Sequence, residues 1–506
     1  MIQKLFFGLT FFILIIIGTI YGALFTKPGN NFVAGYIQDT ANSQNSGANL
    51  LINDFTLTTS TINFDATIND KSFIKVNGDV NIIAKTFDLI YEVDVQDLST
   101  LKNLTKQQLN GSIKTNGTVI GDAALTTVKG NIEVAKGSGD YDVKLVDLNP
   151  SNILVHIKGL KIDELLYMVN QPKYAKGNLN IDANIKSADI KNLDGIVNTT
   201  ITNGLVNNPL VNKSFDLKLK DALSFKTTTS TTLKGQKAIS KAFVNTTPAN
   251  IEIKEAIYDL GAMKLNSDYK VIVEDFANLY DLSQTKMRGK AVINGDIEQS
   301  ATILKVTGNS NILGGSLNYE LLNDNFKAST NGIELKEATY MMYYPKVFDS
   351  KANLNLDYNL AKKTGKLNGA LVNGHFLPNE FSTLLNQLAK FDLTKEVYES
   401  VDVKSDINDK IIKSVINMKS KNTKIDVTSS TLDLNKSNID ADITANILKY
   451  TIGIDVSGNM TKPNVKFDTG DLLKSKAKDE VNRFIDKNIK NEDTKKIINN
   501  FKSLFN

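Results

Sequence analysis

The chain has no cysteine and no tryptophan, and only eight of its 506 residues are proline. Without thiols there are no disulfides, no thiolate metal sites and no thiol redox chemistry. Sparse proline, with no Gly/Ser-rich stretch, leaves no linker, so one elongated body is expected where length alone would allow about two to four domains. Neither sign of charge dominates: 59 Lys+Arg stand against 55 Asp+Glu, interspersed, for a net +4. That pattern carries no electrostatic footprint for nucleic acid.

Motifs of chemistry are equally sparse. The two histidines, His156 and His375, have no partner at metal-ligand spacing and are expected at solvent-facing or groove-edge positions. Gly314-Gly315 and Gly137-Ser138-Gly139 lack the context of phosphate loops, and no serine sits in a G-x-S-x-G elbow. Asp440 and Asp442 lack the glycine and glutamate of a calcium loop. No enzyme activity, metal or cofactor is expected.

What is present begins with an apolar run from Leu5 to Phe25. Such a run, at ~1.5 Å rise per residue, is long enough to cross a ~30 Å hydrocarbon core. Tyr21-Gly22-Ala23-Leu24-Phe25 offers no A-x-A-like cleavage site, so residues 1–26 are expected to form an uncleaved transmembrane anchor. Lys4 and Lys27 flank the run and leave almost no positive-inside bias. No later stretch is long enough to span, which puts the remainder on one side.

Segment after segment then alternates with period two. Ile62, Phe64, Ala66 and Ile68 alternate with polar residues, as do Leu179, Ile181, Ala183 and Ile185, then Phe215, Leu217 and Leu219, and Leu354, Leu356 and Tyr358. Strand side chains point alternately to opposite faces, so these segments predict an antiparallel sheet with one apolar and one solvated face. Asn77-Gly78-Asp79, Asn116-Gly117, Asn294-Gly295-Asp296 and Asn368-Gly369 read as hairpin turns between strands. Similar strand-plus-short-helix segments start at Tyr91, Ile153, Tyr269 and Phe326, a period near ~60 residues that predicts stacked units over 27–468.

The apolar face needs cover. Few helices are long enough to give it; the best is Pro378 to Lys390, with Phe381, Leu384, Leu385 and Leu388 on one side. The sheet is therefore expected to fold on itself, either as a packed sandwich forming a structural or adhesive stalk, or around an unfilled groove. Residues 469–506 change to a helical pattern with Leu473, Ala477, Val481, Phe484 and Ile485 among lysines, which predicts an amphipathic helix that caps the sheet edge or contacts a membrane or partner.

The apolar N-terminal run, the long alternating region and the closing phrase from Tyr450 to Asp468, a strand, Ser457-Gly458, a turn, Lys462-Pro463 and a strand, resemble the AsmA-like family of bacterial envelope proteins. The resemblance implies a bridge-like lipid carrier anchored in the inner membrane, its bulk in the periplasm, holding phospholipid acyl chains or supporting outer-membrane homeostasis. It also implies either a periplasmic or outer-membrane partner at the C-terminal end or a bridge covering part of the way. It brings no catalytic residues. The expected apolar lining comprises Leu179, Ile181, Ile185, Phe215, Leu217, Leu219, Val271, Val273, Leu354, Leu356 and Tyr358.

Overall fold

Alternation becomes strand at most of the places where it occurs. In Thr61–Ile68 the buried positions are Ile62, Phe64, Ala66 and Ile68, the four apolar residues of the pattern. The computed structural model describes residues 26–43, 49–102, 106–448 and 450–468. The expected anchor and C-terminal helix lie outside these residues, and among the described residues no helix is long and apolar enough to cross a membrane.

The chain divides into two units, Met1–Ser267 and Asp268–Asn506. The first holds helix α1 (Lys27–Ser43) and strands β1 (Leu50–Leu57), β2 (Thr61–Ile68), β3 (Ser72–Asn81), β4 (Thr86–Val95), β5 (Ile113–Gly121), β6 (Leu125–Val134), β7 (Gly137–Val146), β8 (Asn149–Lys161), β9 (Ala175–Ser187), β10 (Leu193–Val206), β11 (Ser224–Gly235), β12 (Lys237–Thr246) and β13 (Asn250–Asp259). Helix α2 (Ile162–Met168) joins β8 to β9, and α3 (Asn208–Phe215) joins β10 to β11. Strand β14 (Lys264–Val273) carries the chain across the boundary.

The second unit continues with α4 (Tyr280–Ser283), β15 (Ala291–Gln299), β16 (Leu304–Ile312), β17 (Gly315–Leu322), β18 (Asn325–Asn331), β19 (Ile333–Glu334) and α5 (Leu335–Met341). It ends with β20 (Phe348–Asn359), β21 (Thr364–Phe376), α6 (Glu380–Ala389), β22 (Tyr398–Asn408), β23 (Ile411–Lys419), β24 (Thr423–Asp433), β25 (Asn438–Ile447), β26 (Tyr450–Asn459) and β27 (Asn464–Asp468). The 27 strands belong to one antiparallel sheet that does not close, β1 pairing with β2 and β27 with β26.

The element order repeats. A strand (β4 or β14) leads into a 3-10 turn, Leu98–Leu101 or Phe276–Leu279, in which Asp97 or Asp275 accepts from the N–H of Ser99 or Ala277 at 2.9 Å. Four strands follow, then a seven-residue helix (α2 or α5), two strands and a further helix (α3 or α6). In the second copy the fourth strand is split into β18 and β19, both paired with β20. Successive crossings are separated by an even number of antiparallel strands, so in each unit they all return to the same rim of the sheet.

Each unit packs its apolar face densely at one end. In the first, Ile37 of α1 joins Phe55, Phe64, Leu89, Val93, Val143 and Leu145 in a core that covers β1 to β8. In the second, α6 lays Leu385 and Phe381 over β22 to β27, with Phe381 stacked on Phe467 at 5.1 Å and 6°. Helix α6 starts two residues inside the expected Pro378 to Lys390, because Asn379 and Ser382 form a reciprocal capping box.

A polar network locks the second core. Glu396 accepts hydrogen bonds from Ser420 Oγ, from the Asn422 N–H at 3.2 Å and from Asn422 Nδ2 at 2.7 Å, while Tyr398 and Thr423 share one at 2.6 Å. Burial opposes ionisation of Glu396, but the Ser420 and Asn422 hydrogen bonds outweigh it and hold the carboxyl below the usual range. A carboxyl depressed on folding contributes stability above its unfolded pKa, about 4.3, and loses it as pH falls through the folded value. Urea unfolding of Glu396→Gln is expected to show a loss of about 1–3 kcal/mol at neutral pH and less acid-dependence below about pH 4.3 than the parent. An unchanged acid limb in the variant would remove Glu396 from the network.

Candidate functional site

Away from its packed end, each unit carries apolar rows, whose members on β10 to β13 and on β16 to β21 join no core cluster. From β8 to β13 the register sets Ile157, Ile181, Thr199, Thr229, Ala242 and Ile253 in one line across the strands. A neighbouring line on the same face runs Leu160, Leu179, Ile201, Thr227, Val244 and Ile251. From β10 onward these side chains are half-buried. In the second unit Val306, Leu321, Phe326, Tyr358 and Gly365 form one line, and Gly308, Tyr319, Ala328, Leu356 and Leu367 the next.

Of the eleven expected lining residues, Leu179, Ile181, Leu356 and Tyr358 lie on these rows. Leu179 and Ile181 are half-buried on β9 and lean on a small cluster of Ala135, Ile157 and Leu160, whereas Ile185 leans on the larger core. Leu354, Leu356 and Tyr358 are half-buried on β20. Val271 is half-buried and Val273 buried at the end of β14.

Phe215, Leu217 and Leu219 correct the expectation. Phe215 is the last residue of α3 and is 62% exposed, its ring 5.9 Å from Tyr174. Leu217 and Leu219 follow in an irregular segment, with Leu219 buried. Asn207 caps the Leu210 N–H at 3.4 Å and Pro209 fits the first turn, so a helix forms over Asn208–Phe215 and ends on the first residue of the expected strand. Asn212 then binds both the N–H and the C=O of Leu219, at 2.9 and 3.0 Å, giving that backbone the partners a strand would have supplied.

The Asn-Gly pairs are a second correction. Gly78, Gly117, Gly295 and Gly369 lie inside strands, not at turns. The pairing register sets Tyr91, Gly117, Gly130 and Tyr141 in one row, and the two phenols hydrogen-bond to each other across the glycines. An identically spaced set recurs in the second unit as Tyr269, Gly295, Gly308 and Tyr319, with the hydroxyls 2.6 Å apart and Tyr269 donating to Thr307 O at 2.7 Å. A Cβ on Gly130 would come within 2.5 and 2.8 Å of the two tyrosine hydroxyls, and one on Gly308 would collide with the Tyr319 ring. Burial, then the partnering hydroxyl, pushes the Tyr91 and Tyr269 phenols far up, so both stay neutral.

The two copies differ in cover. Tyr91 and Tyr141 are 2% and 7% exposed under the first core, whereas Tyr269 and Tyr319 are only half-buried.

On the opposite, polar face of the second unit lies a hollow of about 570 Å³. Its floor is Asn309, Asn318, Asn355 and Asn368 beside Glu320, Lys327, Asp357 and Lys366. Gly308, Tyr319, Ala328 and Leu356 of the second apolar line also border it, but amides and balanced charges do not suit a hydrocarbon chain. His156 also faces the polar side, with Nδ1 2.8 Å from Asp182 in the first unit, and His375 is half-buried on β21.

No protein-family model, no curated protein and no solved structure matches the chain.

Proposed function

We propose that the chain is a non-enzymatic carrier that shelters phospholipid acyl chains on its apolar rows. By its resemblance to AsmA-like proteins, it is anchored in the inner membrane with its bulk in the periplasm. One observation supports this above the rest: the apolar rows of β10 to β13 in the first unit and of β16 to β21 in the second are half-exposed and pack against no core, while the other end of each unit's apolar face is filled. An acyl chain of roughly 16 carbons costs about 13 kcal/mol to expose at ~0.8 kcal/mol per CH₂. The apolar rows of each unit lower that barrier without a tight site. Transport between membranes or upkeep of the outer membrane, with or without a partner protein, follows from the same surface.

The dense clusters at β1 to β8 and β22 to β27 favour a second reading, a structural stalk with a dry interior. Purification in mild detergent followed by lipid mass spectrometry separates the two. The carrier reading expects co-isolated phospholipid retained through size exclusion. Its absence at equimolar sensitivity supports the stalk.

A further inference from the structure

The duplication supplies an internal control for one side chain. Of the 59 basic residues only Arg288 and Arg483 are arginine. Arg288 donates its backbone N–H to Met341 O at 3.1 Å and its Nε to Tyr340 O at 2.7 Å, tying the end of α5 to the strand start at β15. At the matching place in the first unit Asn110 makes the same two bonds, to Met168 O at 2.9 Å and from Nδ2 to Tyr167 O at 2.8 Å. Holding the helix therefore needs one side-chain N–H, which asparagine provides. Arginine brings its terminal amino groups in addition.

Those extra groups are placed and charged. The guanidinium carbon lies 3.5 Å from the Tyr340 ring centroid and 4.1 Å from that of Tyr343, and Lys346 Nζ lies 4.5 Å from Tyr340. The first unit has a matching lysine, Lys173, 5.2 Å from the Tyr167 ring, but Glu164 sits 3.7 Å from it and also binds Lys136 at 2.8 Å. Among the described residues neither Arg288 nor Lys346 has such a carboxylate. Tyr340 and Tyr343 are 44% and 47% exposed, so the cluster is open to solutes.

Backbone strain points to the same spot. Tyr343 has φ +59°, and its counterpart Asn170 has φ +55°. Asparagine tolerates this left-handed region, while a bulky side chain is disfavoured there. Two departures from the first copy, Asn110 to Arg288 and Asn170 to Tyr343, thus meet in one stacked pair. In a bulky residue this conformation costs free energy.

We propose that Arg288 and Lys346, framed by Tyr340 and Tyr343, form a phosphate-binding site on the helix-bearing rim of the second unit. The planar guanidinium presents paired donors to phosphate oxygens, the ring faces fix its plane, and Lys346 adds a second charge. This deepens the carrier reading, and rests on it only for the source of the phosphate: a lipid headgroup, whose chains would lie on the apolar rows.

The test uses the full chain in mild detergent with three probes: dioctanoyl phosphatidylglycerol, dioctanoylglycerol and inorganic phosphate. Arg288→Asn restores the residue of the first copy and keeps the helix tie. It is expected to lower the preference for the phosphatidylglycerol over dioctanoylglycerol about tenfold, with a matching loss of salt dependence. Tyr343→Asn is expected to weaken the same preference while raising the unfolding midpoint, a combination that a purely structural tyrosine does not give. An unchanged preference in Arg288→Asn overturns the site. If inorganic phosphate binds as tightly as the lipid and Arg288→Asn abolishes it, the site stands with free phosphate as its ligand. Failure of the parent to bind either glycerolipid counts against the carrier reading alone.

Discussion

Val244→Asp combined with Leu356→Asp is expected to strip phospholipid from the protein while the sheet stays folded. Both side chains are half-buried members of apolar rows and belong to no packed cluster, so a carboxylate at either place keeps water in the unloaded protein. An acyl chain laid across it must strip that water, at several kcal/mol per ion. Since ~1.4 kcal/mol is a factor of ten, bound lipid is expected to fall by more than about tenfold. Mass spectrometry of lipid per protein, beside a circular-dichroism melt, checks both halves. Unchanged lipid removes these rows from the binding surface, and a collapsed melt means that they are packed after all.

Gly130→Val is expected to be the most damaging single change in the first unit. Its side chain would enter space occupied by the Tyr91 and Tyr141 hydroxyls and the Asn116 carbonyl, under a core that leaves those phenols nowhere to swing. Overpacking and the broken hydrogen bonds together are worth about 3 kcal/mol or more. Gly308→Val meets the Tyr319 ring in the same way, yet that ring is half-buried and has a route outward, so a smaller loss is expected there. Denaturant midpoints for the two variants measure the contrast. Equal losses would mean that the second tyrosine pair is as confined as the first.

Much of the fold was legible because a pleated strand writes its two faces directly into the residue order. Ile62 to Ile68, Leu179 to Ile185 and Leu354 to Tyr358 all sit on strands with the alternation intact. The failures share a cause. Asn116-Gly117 and Asn294-Gly295 carry turn chemistry, but a Cβ on Gly117 would meet the backbone of Lys129 and Gly130 and one on Gly295 the Tyr269 phenol, demands invisible without the register. Phe215 to Leu219 alternates locally, yet the cap at Asn207 and the Asn212 clamp overrule it. The recurring order of crossings is three helical segments long, which a search at one-crossing spacing sees only in fragments. The Arg288 cluster was hidden for the same reason: its meaning lies in the difference from Asn110, and the two positions become comparable only once both bind the ends of corresponding helices.

Helix α1 does more than fill the first core. Asn42 binds both the N–H and the C=O of Leu50, at 2.7 and 3.0 Å, Gln38 accepts from the Ile52 N–H at 2.9 Å, and Asn30 donates to Leu57 O at 3.2 Å. Amide side chains thus stand in for a missing neighbour along β1 and use up groups that an incoming strand would need. Accretion of a foreign chain at that border requires α1 to be peeled away first, so the N-terminal margin is built as a terminus and not as a splice.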